Sequence, residues 1–261
     1  MASNGAAPQQ AGEGNMPLFY KDPMPLDAKK HSELSLKENY GFSYTEGVNA
    51  VPINLIEMPQ VCHFYPIAFS PDGRATPVAI LGLRDGENLF LGEDKKSWAA
   101  NTYIPAYIRR YPFIFSELQD SDQLTLCVDQ NEDIIDPSGS GQRFFDAESK
   151  PTELANNALE FCKSYHAAAQ QTLAFSAAIA ESGILIDREA QLNISGNKRI
   201  KFSGFQIIDE KKLSEIDDKT FLEWRSKGYL PFIYAHLFSG AQWQHLSQML
   251  NAQIEAGTAT I

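Results

Sequence analysis

NTYIPAYIRRYPFIFSEL, residues 101–118, holds three tyrosines, two phenylalanines, three isoleucines and two adjacent arginines. Ile104, Tyr107, Ile108 and Tyr111 fall at i, i+3, i+4 and i+7, so they share one face of a short helix. Pro105 suits the first turn of that helix, and Pro112 drives residue 111 out of helical geometry and ends it. Phe113–Leu118 then reads as a strand. The stretch is a helix-to-strand corner, and it sets the expectation of a mixed chain. Arg109 and Arg110 leave the helix about 100° apart, so they do not clamp one anion from the same side. The spacing predicts a packing corner whose guanidiniums cover ring edges or pair with acids at the rim. A ligand role for one arginine is the alternative.

Upstream of this corner the chain is rich in turns. MPLFYKDPMPL, residues 16–26, cannot continue a helix or sit inside a sheet, and residues 16–60 read as an extended, wrapping segment. Strands are expected over Val51–Glu57, Cys62–Phe69 and Pro77–Arg84, with Ser70–Gly73 (SPDG) as a type I turn. Asp85-Gly86 joins VAILGLR to ENLFLG and predicts a hairpin. Leu124–Asp129 supplies a further strand.

Downstream, DPSGSGQRFFDAESKP (136–151) has the composition of a linker or long loop. Beyond it Leu154, Ala158, Phe161, Cys162, Tyr165, Ala169, Thr172, Leu173, Ser176 and Ile179 recur at three- and four-residue steps. They imply one long amphipathic helix, capped by Thr152 and stopped at Gly183. Gln191–Ser195 and Lys198–Ile208 form a hairpin around Gly196-Asn197. Its alternation changes phase between Ile200/Phe202 and Phe205/Ile207, which predicts a bulge near Ser203-Gly204. A helix starts at Asp217 or Asp218 and ends at Gly228. Two more apolar stripes follow, Leu230/Ile233/Tyr234/Leu237/Phe238 and Trp243/Leu246/Met249. The expected fold is α+β, an antiparallel β-rich N-terminal half followed by a helical C-terminal half with one β-hairpin. The expected division is 1–15 disordered tail, 16–136 β-rich region, 137–151 linker, 152–250 helical region with the hairpin, and 251–261 flexible tail.

Composition narrows the function classes. A formal charge of −11 argues against nucleic acid, whose phosphates are held mainly by clustered Lys and Arg. Cys62, Cys127 and Cys162 are an odd, widely spaced set and are expected as reduced, buried thiols. The first fifteen residues carry no basic start or apolar run, so no secretory signal is expected and the protein is placed in the cytoplasm. The most apolar window, Leu230–Phe238, is far short of the roughly 20 residues that cross a bilayer.

No nucleophile elbow, P-loop or dinucleotide glycine pattern occurs. Cys162 and His166 sit four apart on the long helix, but nothing pairs them with Cys62-His63 at finger-like spacing. DQNEDIIDPSGS (129–140) opens like a calcium loop, yet has Ile134 for its glycine and Ser140 for its glutamate. His31-Ser32-Glu33 lacks the context of an iron triad. No metal or cofactor is expected and no catalytic residue is assigned. The ligand-binding candidates are Trp98, Tyr103, Arg109, Arg110, His166 and His236. His236 lies off its helix's apolar stripe and is expected at a helix–helix seam.

The stretches PVAILGLRDGENLFLGEDKKSWAANTYIPAYIRRYPFIF, ALEFCKSYHAAAQQTLAF, SGFQIIDEKKL and KGYLPFIYAHLFSGAQWQHL, in this order, resemble the SapC family of bacterial proteins over about residues 16–250. The resemblance implies a link with surface layers or the cell envelope, since the family name comes from a surface-array locus. Related genes tend to lie beside genes for outer-membrane receptors and tryptophan-halogenase-like proteins. A peptide-transporter permease shares the name, but this chain has no membrane span to match it. The expected function is a non-enzymatic binding or assembly protein of an envelope or uptake system, with a protein, peptide or small-molecule partner and a homo-oligomer as an option. The alternative is an enzyme, or an enzyme's partner, with a pocket near Arg109 and His236. Any surface association would need non-classical export.

Overall fold

In the computed structural model, which describes residues 16–117, 124–194 and 198–257, the strands fall into three antiparallel sheets. In chain order the strands are β1 (Pro23–Pro25), β2 (Ser35–Leu36), β3 (Ala50–Pro52), β4 (Ile67–Phe69), β5 (Pro77–Ile80), β6 (Phe113–Glu117), β7 (Leu124–Asp129), β8 (Ile135–Asp136), β9 (Gln142–Arg143), β10 (Leu185–Ile194) and β11 (Lys198–Ile208). The helices are α1 (Met58–Val61), α2 (Ala106–Arg110), α3 (Glu153–Glu181), α4 (Glu210–Ser214), α5 (Asp218–Ser226), α6 (Leu230–Phe238) and α7 (Gln242–Glu255). Strands dominate the first half and helices the second, as an α+β chain requires.

The proline-rich leader adds β1 to β7 and β6, with Pro23 opposite Asp129 and Pro25 opposite Cys127. Prolines carry no N–H, so β1 can only be an edge strand. The largest sheet runs β10-β11-β4-β5-β3, and Gln206 opposite Phe69 is the register point where the late hairpin joins the early strands. One sheet therefore draws on both halves of the sequence. On it pack Phe175 and Ile179 of α3, Trp224 of α5, Ile233 of α6, and Leu246 and Leu250 of α7. Within residues 137–151, β9 pairs with β2 and Phe144 is fully buried.

Local signals are obeyed closely where neighbours in sequence set the geometry. Thr152 caps α3 by accepting from the Ala155 amide, and Gly183 follows the helix at a φ of 70°, the left-handed stop that glycine adopts freely. Arg188 pairs with Phe205 and Ala190 with Phe202, so Glu189 alone faces Ser203 and Gly204. Gly204 has a φ of 87°. The phase change in the sequence is thus a bulge. The Gly196-Asn197 turn lies outside the described residues.

Other expectations fail for physical reasons. β3 stops at Pro52, and Leu55–Glu57 is a 3-10 turn leading into α1. No strand covers 87–92: Glu87 takes the Leu83 amide and pairs with Arg84, so its carboxylate occupies a donor that a ladder would need. α6 buries Ile233, Ala235 and His236, and leaves Tyr234 and Phe238 exposed. Ile233 of the apolar stripe is buried and Leu230 and Leu237 pack against the core, but Tyr234 and Phe238 turn outward, and the inward place beside them goes to His236, whose Nε2 accepts from the Ile208 amide at the end of β11.

Candidate functional site

α2 organises the polar part of the interior. Pro105 precedes it, and the unpaired first-turn N–H of Ala106 donates to Glu57 Oε1 at 2.7 Å. The Asn54 amide donates to the other oxygen, Oε2, at 2.9 Å, and the Tyr103 hydroxyl donates to Oε1 at 2.9 Å. Burial raises the Glu57 pKa, opposed by the N–H groups of Ala106 and Asn54 and then by Tyr103. Arg109 lies outside this seat. Its Nη2 donates to the Tyr103 hydroxyl at 3.0 Å and its Nε to the Ile104 carbonyl at 2.9 Å. The guanidinium spans the rings of Tyr103 and Phe161 at 5.4 and 5.3 Å. Trp98 Nε1 donates to the Tyr65 hydroxyl at 3.0 Å, which in turn donates to the Tyr103 carbonyl. Trp98, Tyr103 and Arg109, three of the sequence candidates, therefore belong to one network with Glu57 and Tyr65.

Arg110 corrects the expectation of two rim arginines. It is 5% exposed, while Arg109 stays at the surface. A turn of one residue along α2 points Arg110 between three tyrosines, with its guanidinium carbon 4.4 Å from the ring centre of Tyr165, 4.8 Å from Tyr107 and 5.5 Å from Tyr20. Its Nε donates to the Tyr20 hydroxyl at 3.2 Å, and its Nη2 has no partner. Burial pushes Tyr107 up to about 12 and Tyr20 and Tyr165 higher still, so the cage is neutral at pH 7. Burial likewise raises Cys162 to about 11, so it is present as the thiol. An unpaired buried cation costs several kcal/mol. Each desolvated ring returns about 0.5–2 kcal/mol, so three rings offset a good part of that.

A buried carboxylate lies on the far side of the Tyr20 and Tyr111 rings. Asp129, at the end of β7, accepts from the amides of Lys21 and Asp22 at 2.8 and 2.7 Å and from the Tyr111 hydroxyl at 2.7 Å. The run that opened like a calcium loop thus gives its first carboxylate to the chain's own amides.

The two histidine candidates are placed elsewhere. His166 is half-buried on α3, its ring 6.5 Å from Phe115. His236 is buried beneath the large sheet rather than at a helix–helix seam. Its Nε2 accepts from the Ile208 amide at 3.1 Å, its ring lies 5.0 Å from Phe69, and its Nδ1 has no partner. Burial lowers its pKa to about 4. Among the described contacts it shares none with Trp98, Tyr103 or Arg109. A cleft of about 300 Å³, counting its open mouth, runs between β3 and α3 and is lined by Pro52, Asn54, Tyr165, Leu173 and Ser176 among others. Neither Arg109 nor His236 lines it.

Glu57, Asp129, Tyr20 and Tyr165 were not singled out from the sequence. Asn54-x-x-Glu57 has the spacing of a capping box, which was a usable signal for Glu57. Asp129 opens the calcium-like run and Tyr165 lies on the apolar stripe of α3, but nothing local marks Tyr20 or shows that these three come together. All three cysteines are buried and unpaired. Among the described residues no three or more His, Cys, Asp or Glu side chains stand together as metal ligands, and no helix is long and apolar enough to cross a membrane.

The family model described as SapC matches residues 26–246, most of the chain, and the chain belongs to that family. No curated protein and no solved structure matches it.

Proposed function

We propose that this SapC-family chain is a non-enzymatic binding or assembly protein serving a cell-envelope, surface-layer or outer-membrane uptake system. One observation carries the binding part. α6 turns Ile233 and His236 inward and leaves Tyr234 45% and Phe238 70% exposed, their rings stacked 6.4 Å apart at 26°. Packing of α6 does not require aromatics at these outward positions, and polar residues there would be better solvated. Aromatic residues are enriched at the centres of protein interfaces, where few residues carry most of the binding energy. The envelope assignment rests on membership of the SapC family.

The test is affinity capture of the tagged protein from its own cells, beside a Tyr234→Ser/Phe238→Ser variant. The variant is expected to keep the wild-type denaturation midpoint and to lose the captured envelope protein by about tenfold or more, as loss of a binding hot spot would. Retention of that partner by the variant, or captured proteins unrelated to the envelope, would defeat the proposal.

A further inference from the structure

Two walls of the Arg110 cage, Tyr107 and Tyr165, come from helices α2 and α3. The third, Tyr20, comes from residues 17–22, a strap that crosses the site just before β1. The strap is held by packing of Leu18, Phe19 and Tyr20 against the core and by a handful of hydrogen bonds, among them the Gln130 amide donating to the Asp22 carbonyl at 3.1 Å. The Tyr107 hydroxyl donates to the Leu18 carbonyl at 3.2 Å, the Tyr20 hydroxyl donates to the Phe113 carbonyl at 2.6 Å, and the Lys21 and Asp22 amides donate to Asp129. Phe19, inside the strap, has a φ of 78°, a left-handed conformation that is unfavourable for a bulky side chain.

What the strap gives the site is two acceptor oxygens. The Leu18 carbonyl meets the Tyr107 hydroxyl, and the Tyr20 hydroxyl oxygen meets Arg110 Nε. It leaves Arg110 Nη2, which is buried, with nothing. Among the described ion pairs none includes Arg110, although the chain has 33 acidic residues. A guanidinium beside a phenol hydroxyl is a donor set suited to an oxyanion, which brings several charged acceptors where the strap brings two neutral ones. Charge-assisted bonds of that kind are about twice as strong as neutral ones, and a guanidinium can make two in parallel.

We propose that Arg110 and Tyr107 form an oxyanion-binding site masked by residues 17–22, and that a ligand bearing a carboxylate or phosphate group displaces the strap to reach it. The Leu18 and Tyr20 oxygens are placeholders for two ligand oxygens, and Nη2 takes a third contact that the strap cannot provide. Apparent affinity is then reduced by the fraction of molecules in which the strap is closed. This site is separate from the aromatic pair on α6, so either proposal can fail alone.

The experiment is hydrogen–deuterium exchange at the Lys21 and Asp22 amides of the full chain, with sodium chloride replaced at constant ionic strength by sodium acetate or by sodium phosphate. One or both anions are expected to accelerate exchange saturably, by about fivefold or more, the lower end of ordinary coupling between a ligand and a conformational change. Acetate alone acting would identify a carboxylate ligand, phosphate alone a phosphate ligand, and both a general oxyanion. Tyr20→Ala removes part of the mask and is expected to bind the active anion more tightly than wild type in an NMR titration. Arg110→Met should abolish the effect while leaving exchange in β10 and β11 unchanged. If Arg110→Met does not fold, Tyr107→Phe, which keeps the ring and loses the hydroxyl, must weaken the effect. Exchange indifferent to both anions, an effect retained by Arg110→Met or undiminished in Tyr107→Phe, or no tighter binding by Tyr20→Ala would each overturn the proposal.

Discussion

Beneath the five-stranded sheet and around α2 the chain buries polar groups on opposite terms. Under the sheet the surroundings are Phe69, Phe175, Ile179 and Ile233, and the histidine buried there gives up its charge: desolvation lowers His236 to about 4. Around α2 the aromatic rings are at least as dense, yet a guanidinium and two carboxylates are buried among them. The difference lies in the partners. Asp129 and Glu57 each accept from two backbone amides and a tyrosine hydroxyl, bonds that replace the lost water. Arg110 has ring faces instead. Hydrophobic density does not by itself decide whether a buried polar group finds partners; the oriented donors and π-faces that the fold brings to it do.

The comparison can be broken most sharply at the sheet. Phe69→Ala removes a fully buried ring and is expected to destabilise the fold by about 3–5 kcal/mol, measured by chemical denaturation; a loss well under that range would mean the sheet core is not close-packed. A smaller effect tests the neutrality of His236. Its folded pKa is depressed, so its full contribution is present above the unfolded value near 6.5 and is lost as pH falls toward 4. The size is about 3 kcal/mol at 1.36 kcal/mol per unit. His236→Gln can still accept from the Ile208 amide but does not titrate, and its stability should fall by that much less between pH 7 and pH 4. Equal pH profiles for variant and wild type would show that His236 is not the buried neutral group.

The α2 side is sharpened by substitutions with smaller outcomes. Arg110→Met keeps much of the volume and drops the charge, so stability should stay within about 1 kcal/mol of wild type or rise, as when buried ion pairs are replaced by well-packed apolar groups. A loss of several kcal/mol would show that the rings compensate the cation fully. Arg109→Ala should cost the least, about 1 kcal/mol or below, because its bonds lie at the surface. Thermal denaturation of the two neighbouring variants side by side makes the contrast direct.

What the sequence determined by itself was everything carried by near neighbours. The α+β class, the extent of α3 between Thr152 and Gly183, a helix start at Asp217 or Asp218, the bulge near Ser203-Gly204 and the corner at Tyr111-Pro112 all follow from spacings of a few residues, where backbone sterics and a single side-chain bond decide the outcome. Tertiary structure alone decided that His236 rather than Tyr234 or Phe238 is inward on α6, that Arg110 and not Arg109 is buried, and that Glu57 and Asp129 are buried with their oxygens bonded to backbone amides and a tyrosine hydroxyl. Those outcomes join residues far apart in the chain: 49 positions separate Glu57 from the Ala106 amide and 107 separate Asp129 from Asp22. Apolar periodicity reports that a face can be buried. Whether it is buried, and what charge it carries inside, depends on the donors and rings that the rest of the chain brings to it.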